Sequence, residues 1–142
     1  LSSYAAEIVR ARAVLALASP RALILVDEFA RTTGPREGRA LSIAFVEALR
    51  ARGALALVAT HFDGIAEAAQ AEHLRIAGLR DVALAAVSAD DLDAALDAIN
   101  LAMDYRVVGA RDGAATSDAL ALAQLLGFDP AVIARARELY DG

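Results

Sequence analysis

Apolar positions recur along this chain at two spacings, and the changes between them lay out its elements. Between residues 4 and 18, Ile8, Val9, Val14, Leu15 and Leu17 recur at helical spacing among the polar Glu7, Arg10 and Arg12. Ser2 or Ser3 is suited to cap that helix, offering an oxygen to its orphan N–H groups. Ser19-Pro20 ends it, because proline cannot continue the hydrogen-bond ladder. The unbroken run Ala22-Leu23-Ile24-Leu25-Val26 then leads straight into Asp27-Glu28. A strand without polar alternation reads as a parallel strand covered on both faces, so 22–26 is expected to be buried on both sides.

Residues 30–38 are rich in Thr, Gly and Pro and are expected to turn without regular structure. A helix over 37–51 follows, with Leu41, Phe45 and Leu49 at every fourth position and Gly53 as its stop. The second apolar run, residues 54–59, ends at Thr60-His61. Strand, helix, strand at this spacing is a βαβ unit, hence a parallel pair. A short helix is expected near 63–71, and strands over 73–79, 82–88 and 104–109. Between the last two, Leu92, Leu96, Ile99 and Met103 recur at helical spacing opposite Asp90, Asp93 and Asp97, an acidic face of the kind that is usually solvated. The tail predicts a helix over 116–126, a stop at Gly127, and a last helix capped by Asp129 with Pro130 at its first position. Val132, Ile133, Ala136 and Tyr140 are expected to line its inner face. That last helix carries Arg135 and Arg137 but also Glu138 and Asp141, which favours packing or dimerisation over reading DNA.

Composition narrows the class. The 142 residues are 58% hydrophobic and carry a formal net charge of −5. Mean hydropathy is +0.44 and the pI is about 4.9. Much of the apolar content is Ala, which suits closely packed helices, and no apolar run approaches the roughly 18 to 20 residues that span a bilayer. The acidic balance argues against a non-specific nucleic-acid surface on this segment. With no cysteine, disulfides and thiolate metal sites are excluded. A cytoplasmic location is expected. The chain opens on Leu1 rather than an initiator Met, and no charged leader precedes the first helix, so it reads as a piece cut from something larger.

Three features then converge on one chemistry. Ser2-Ser3 stand at a helix amino terminus, where free N–H groups and the dipole favour an anion such as phosphate. Asp27-Glu28 end one strand and His61 follows the next; in a parallel sheet those carboxyl ends share an edge and flank one ligand. An acid pair there suits a hydrated Mg²⁺ on the first carboxylate, with the second orienting or deprotonating an attacking water.

The order of these elements resembles the ATPase domain of the MutS family, within the ABC-type ATPases. Leu1-Ser2-Ser3-Tyr4-Ala5-Ala6-Glu7 is similar to the signature segment S-T-F-x-x-E, and Leu23 to Glu28 resembles a Walker B strand. Arg31 to Gly38 falls where the family has its D-loop, and Ala59-Thr60-His61-Phe62 matches its A-T-H-[YF] switch. The resemblance covers nearly the whole chain. It implies an α/β, partial P-loop NTPase fold of the ABC/MutS type, with a parallel sheet flanked by helices over residues 1–112 and a helix-turn-helix-like dimerisation element over 113–142. It further implies ATP and Mg²⁺ as cofactors: Asp27 on the metal, Glu28 as catalytic base, His61 at the γ-phosphate, and Thr33 among the nucleotide-binding residues. Ser2 and Ser3 would reach the partner's nucleotide across a homodimer or heterodimer formed by the ATPase face and the carboxy-terminal helices. DNA would be met only through regions outside this chain, and no membrane.

Two departures shape the expectation. No G-x-x-x-x-G-K-[ST] phosphate loop occurs, so the chain is expected to bind and hydrolyse ATP poorly by itself. The loop Asp27-Glu28-Phe29-Ala30-Arg31-Thr32-Thr33-Gly34-Pro35-Arg36-Glu37-Gly38 departs from the mismatch-repair pattern G-R-G-T-S-x-x-D-G. It is more similar to MutS-related proteins associated with reactivation of lysine 5,6-aminomutase. The expected function is thus an ATPase-domain fragment that couples hydrolysis to conformational change, in aminomutase reactivation as its specific form. The alternatives are a mismatch-repair motor and a non-catalytic dimerisation module.

Overall fold

A computed structural model describes residues 3–79, 92–110 and 118–141. The chain forms two compact units, residues 1–73 and 74–142. The boundary expected after residue 112 falls among residues 111–117, outside the described set.

The first unit runs α1 (Ser3–Leu17), β1 (Leu23–Asp27), α2 (Pro35–Ala51), β2 (Leu55–Ala59) and α3 (Ile65–Ala68). Strands β1 and β2 pair in parallel with Leu23 opposite Leu55 and Asp27 opposite Ala59, as the βαβ pattern predicts. Helix α2 starts earlier than expected. Gly34 is its N-cap and Pro35 opens it, so part of the supposed loop is helical. Proline at a first turn loses only an N–H that has no intrahelical partner there. At the far end, Arg52 and Gly53 turn the chain with Gly53 at φ +70°, and the Pro20 ring stands 3.2 Å from where a Cβ on Gly53 would lie.

Core packing covers one face of the strand pair. Ile24, Phe29, Ala30, Phe45 and Leu49 form the buried cluster, and Ile8, Ala11, Val14 and Leu15 of α1 pack against it with Val26 and Ala56. The Phe29 and Phe45 rings meet at 4.6 Å, tilted by 33°.

The other face overturns the expectation of strands buried on both sides. Leu23 and Leu25 are 66% and 70% exposed, and Leu55 and Leu57 are 70% and 59% exposed. The in-register pairing sets these four leucines side by side as an apolar stripe. The continuous apolar sequence is that of a doubly covered strand, but the helices described in this unit cover one side alone.

The second unit runs β3 (Leu74–Leu79), α4 (Leu92–Ala102), β4 (Met103–Gly109), α5 (Asp118–Leu125) and α6 (Pro130–Asp141). Its strands pair antiparallel, with an irregularity between Ile76 and Gly78, rather than extending a parallel sheet. The strand expected over 82–88 lies outside the described residues. In α4 the buried positions are Ala95, Ile99 and Ala102; Leu96 is 43% exposed and Met103 has passed into β4. Asp129 caps α6 as predicted, its Oδ1 accepting the N–H groups of Ala131 at 2.8 Å and Val132 at 3.2 Å. Of the expected inner face only Ile133 is buried and Ala136 half-buried, while Val132 and Tyr140 are exposed. No helix among the described residues is long and apolar enough to cross a membrane.

Candidate functional site at the carboxyl ends of the parallel strands

The acid pair leaves the sheet through an unusual backbone. Asp27 is the last residue of β1, and the Glu28 N–H donates to the Ala59 carbonyl at 2.9 Å, extending the ladder by one bond. Glu28 then adopts φ +50° and Ala30 φ +62°, a left-handed region that L-residues with a Cβ disfavour. The turn is held from several sides. Ser42 of α2 donates its hydroxyl to the Phe29 carbonyl at 3.2 Å, and Ala30 is fully buried. Glu7 of α1 accepts the Ala30 N–H at 2.7 Å and the Thr32 hydroxyl at 3.1 Å.

This turn brings Glu28 to His61. Glu28 Oε1 lies 3.6 Å from His61 Nδ1, and Oε2 accepts from Arg31 Nη1 at 3.1 Å. Both partners are solvent-accessible, so neither contact carries much stability by itself.

The segment bearing His61 is positioned by the start of α2. Arg39 Nε donates to the Asp63 carbonyl at 2.8 Å, and the Phe62 N–H donates to the Thr60 hydroxyl at 3.1 Å. Phe62 stacks beside the His61 ring at 4.3 Å. Its own ring reaches Gly38 so closely that a Cβ there would stand 2.5 Å from Phe62 Cζ and 2.9 Å from the Ala30 carbonyl oxygen. Glycine at 38 is therefore what lets α2, the acid-pair turn and the His61 segment meet.

The other sequence-predicted residues are placed unevenly. Asp27 is exposed and, among the described residues, its carboxylate has no hydrogen-bond or ion-pair partner. Thr33 donates its hydroxyl to Glu37 Oε2 at 3.2 Å, tying the turn to the first turn of α2. Ser3 is exposed in the first turn of α1, and Ser2 lies outside the described residues. Glu7, Gly38, Arg39 and Ser42 are the residues that sequence reasoning missed as supports. Glu7 alone had a signal, as the last residue of the signature-like segment.

The donor set fits Mg²⁺ better than it fits the whole nucleotide. A free carboxylate beside a second one suits a metal that takes one or two carboxylates, several waters and phosphate oxygens. No cluster of three or more His, Asp or Glu side chains able to enclose a metal occurs among the described residues. The sequence supplies no G-x-x-x-x-G-K-[ST] loop to cradle phosphates beside the acids. An open cleft of about 520 Å³, lined by Glu47, Arg50, Glu67 and Gln70 among others, shares no residue with the acid pair.

Asp27-Glu28 and His61 stand at the carboxyl ends of adjacent parallel strands in an α/β unit. The chain belongs to the MutS family: the model of MutS domain V matches residues 1–142. It is 35% identical over 142 residues to the protein named Endonuclease MutS2 of Anaeromyxobacter sp. (strain Fw109-5), covering 100% of this chain and 16% of that relative. It is 34% identical over 139 residues to Endonuclease MutS2 of Thermomicrobium roseum, covering 98% of this chain and 16% of that protein. With Endonuclease MutS2 of Thermus thermophilus the identity is 41% over 70 residues, covering 49% of the chain and 9% of the relative. The chain thus spans about a sixth of the length of the first two relatives.

Proposed function

We propose that this chain is the carboxy-terminal half of a MutS-type ATPase domain, supplying the acid pair and switch histidine to a nucleotide held by a phosphate-loop half. The observation that carries this reading is the convergence of Glu28 and His61 at 3.6 Å from separate strand ends, beside Asp27, which has no partner among the described residues. In it, Asp27 would hold a hydrated Mg²⁺, which would supply charge neutralisation at the phosphates. Glu28 is the base for the attacking water, and His61 senses the terminal phosphate. Ser2, Ser3 and Thr33 complete a composite site shared with a second subunit. The exposed Phe128, Val132, Leu139 and Tyr140 support a dimer contact through the carboxy-terminal helices.

The test joins this chain, in cis or as a second polypeptide, to a phosphate-loop half and measures phosphate release. Glu28→Gln should lower hydrolysis by about 10²- to 10⁴-fold while nucleotide binding persists. Hydrolysis unaffected by Glu28→Gln would remove the base assignment. No hydrolysis in the reconstituted protein would leave a non-catalytic dimerisation module.

For the biological role, relatives named as MutS2 endonucleases favour action of the parent protein on nucleic acid, through regions outside this acidic segment. Aminomutase reactivation rests on the loop phrase from Asp27 to Gly38 alone. Hydrolysis by the full-length protein that rises with DNA and ignores an inactivated lysine 5,6-aminomutase would decide for the former.

A further inference from the structure

The turn that aims Glu28 contains two residues, Glu28 at φ +50° and Ala30 at φ +62°, in a conformation neither prefers. Such a turn persists only where its surroundings over-determine it. Three of its ties are ordinary: the Glu28 N–H to Ala59, the Thr33 N–H to the Ala30 carbonyl at 3.4 Å, and the Ser42 hydroxyl to Phe29. The fourth is different in kind. Glu7 of α1 is a charged side chain and holds the turn with both carboxylate oxygens. One accepts the N–H of fully buried Ala30 at 2.7 Å, and the other accepts the Thr32 hydroxyl at 3.1 Å. A carboxylate is acceptor-only and its bonds are charge-assisted, so it makes a firmer holder for a buried amide than a neutral oxygen.

We propose that Glu7 is a positioning residue for Glu28: by clamping Ala30 and Thr32 to α1 it fixes the left-handed turn that aims the Glu28 carboxylate at His61. Among the described residues Glu7 makes no hydrogen bond or ion pair with His61 or Glu28, and it acts on them through the turn. The inference rests on the ATPase reading for its kinetic consequence, and on the two hydrogen bonds alone for its structural one. It also gives the last position of the signature-like segment a task inside its own subunit, separate from that of the serines.

The experiment uses the full-length protein and two readouts, steady-state ATP hydrolysis and hydrogen exchange in the peptide spanning 28–33. Glu7→Ala should lower kcat roughly 10- to 100-fold, the range expected for losing hydrogen bonds to a charged group, with KM for ATP within about twofold. Glu7→Gln keeps an oxygen for the Ala30 N–H and should hold kcat within about threefold to fivefold of the parent. Glycine adopts positive φ freely, so Ala30→Gly added to Glu7→Ala should recover about threefold or more of the lost kcat. Exchange in 28–33 should quicken in Glu7→Ala and not in Glu7→Gln. Equal loss of kcat in Gln and Ala variants, a change confined to KM, or unaltered exchange in Glu7→Ala would each overturn the proposal. If Glu7→Ala fails to fold, Thr32→Val removes one of the two bonds and should move both readouts the same way by a smaller factor; no movement would count against the clamp. Should the parent and Glu28→Gln proteins hydrolyse ATP equally, the ATPase reading fails, and the exchange measurement judges the clamp by itself.

Discussion

The Nδ1 atom of His61 stands 3.6 Å from Oε1 of Glu28, and the two residues reach that distance from the ends of different strands. The parallel register, Asp27 opposite Ala59, sets the strand ends level. The left-handed turn at Glu28 and the α2-held segment 60–63 do the rest. In the proposed function the two act as a pair, and their partly exposed contact carries little structural weight.

His61→Ala should therefore separate activity from stability. In the protein completed by a phosphate-loop half, hydrolysis should fall about 100-fold, the scale seen for losing one group that stabilises developing charge. The urea midpoint should shift little, by an amount worth less than about 0.5 kcal/mol, because the side chain is half exposed. A parallel loss of stability would mark His61 as structural.

Gly38→Ala should cost stability despite placing the better helix former in α2. Replacing a helical glycine by alanine ordinarily gains about 0.5 to 1 kcal/mol. Here the new methyl would stand 2.5 Å from Phe62 Cζ and 2.9 Å from the Ala30 carbonyl. The phenyl tip can swing away but the backbone oxygen cannot move without the acid-pair turn. A net loss of about 1 to 3 kcal/mol is expected on thermal unfolding, with reduced hydrolysis.

The two faces of the strand pair should respond in opposite ways. Leu49, 1% exposed, should cost about 2 to 5 kcal/mol as Leu49→Ala in urea unfolding of this chain. Leu25→Ser and Leu57→Ser, on the open face, should leave the midpoint within about 0.5 kcal/mol and reduce self-association in light scattering.

Glu67 gives a local pH signature in α3. A hydrogen bond from its own backbone N–H, and then one with His73 at 3.2 Å, holds its carboxyl below the ordinary 4.5. Because the folded value is the depressed one, its contribution is present above pH 4.5 and is lost as pH falls through the folded value. His73→Ala should move the Glu67 titration up towards 4.5, read by carboxyl chemical shifts.

Much of the site was legible because its chemistry is written in consecutive residues. Asp27-Glu28 and Thr60-His61 follow apolar runs, and a run of that length fixes where a strand ends. The supports were less legible, because they depend on contacts between separate elements. Glu7 reads as one more polar position on an amphipathic helix until Ala30 and Thr32 are found beside it. Ser42 stands on a helix face that looks apolar only around Phe45 and Leu49, and its burial follows from the Phe29 carbonyl it satisfies. The inner face of α6 failed for the opposite reason. Helical spacing names a candidate stripe, but whether Val132 and Tyr140 are covered depends on what stands opposite them.

What the sequence by itself determined is local: the parallel βαβ unit, the cap at Asp129, the turns at Gly53 and Gly127, and the acid pair at the strand end. These follow from spacing and from residues whose backbone preferences act over a few positions. Only the tertiary structure decided that one face of the strand pair is covered and the other open, and that β3 and β4 run antiparallel. It alone decided that the run into Asp27-Glu28 ends in a left-handed turn gripped by Glu7. Apolar residues record that they suit burial, but which of them is buried depends on partners that no short window of sequence contains.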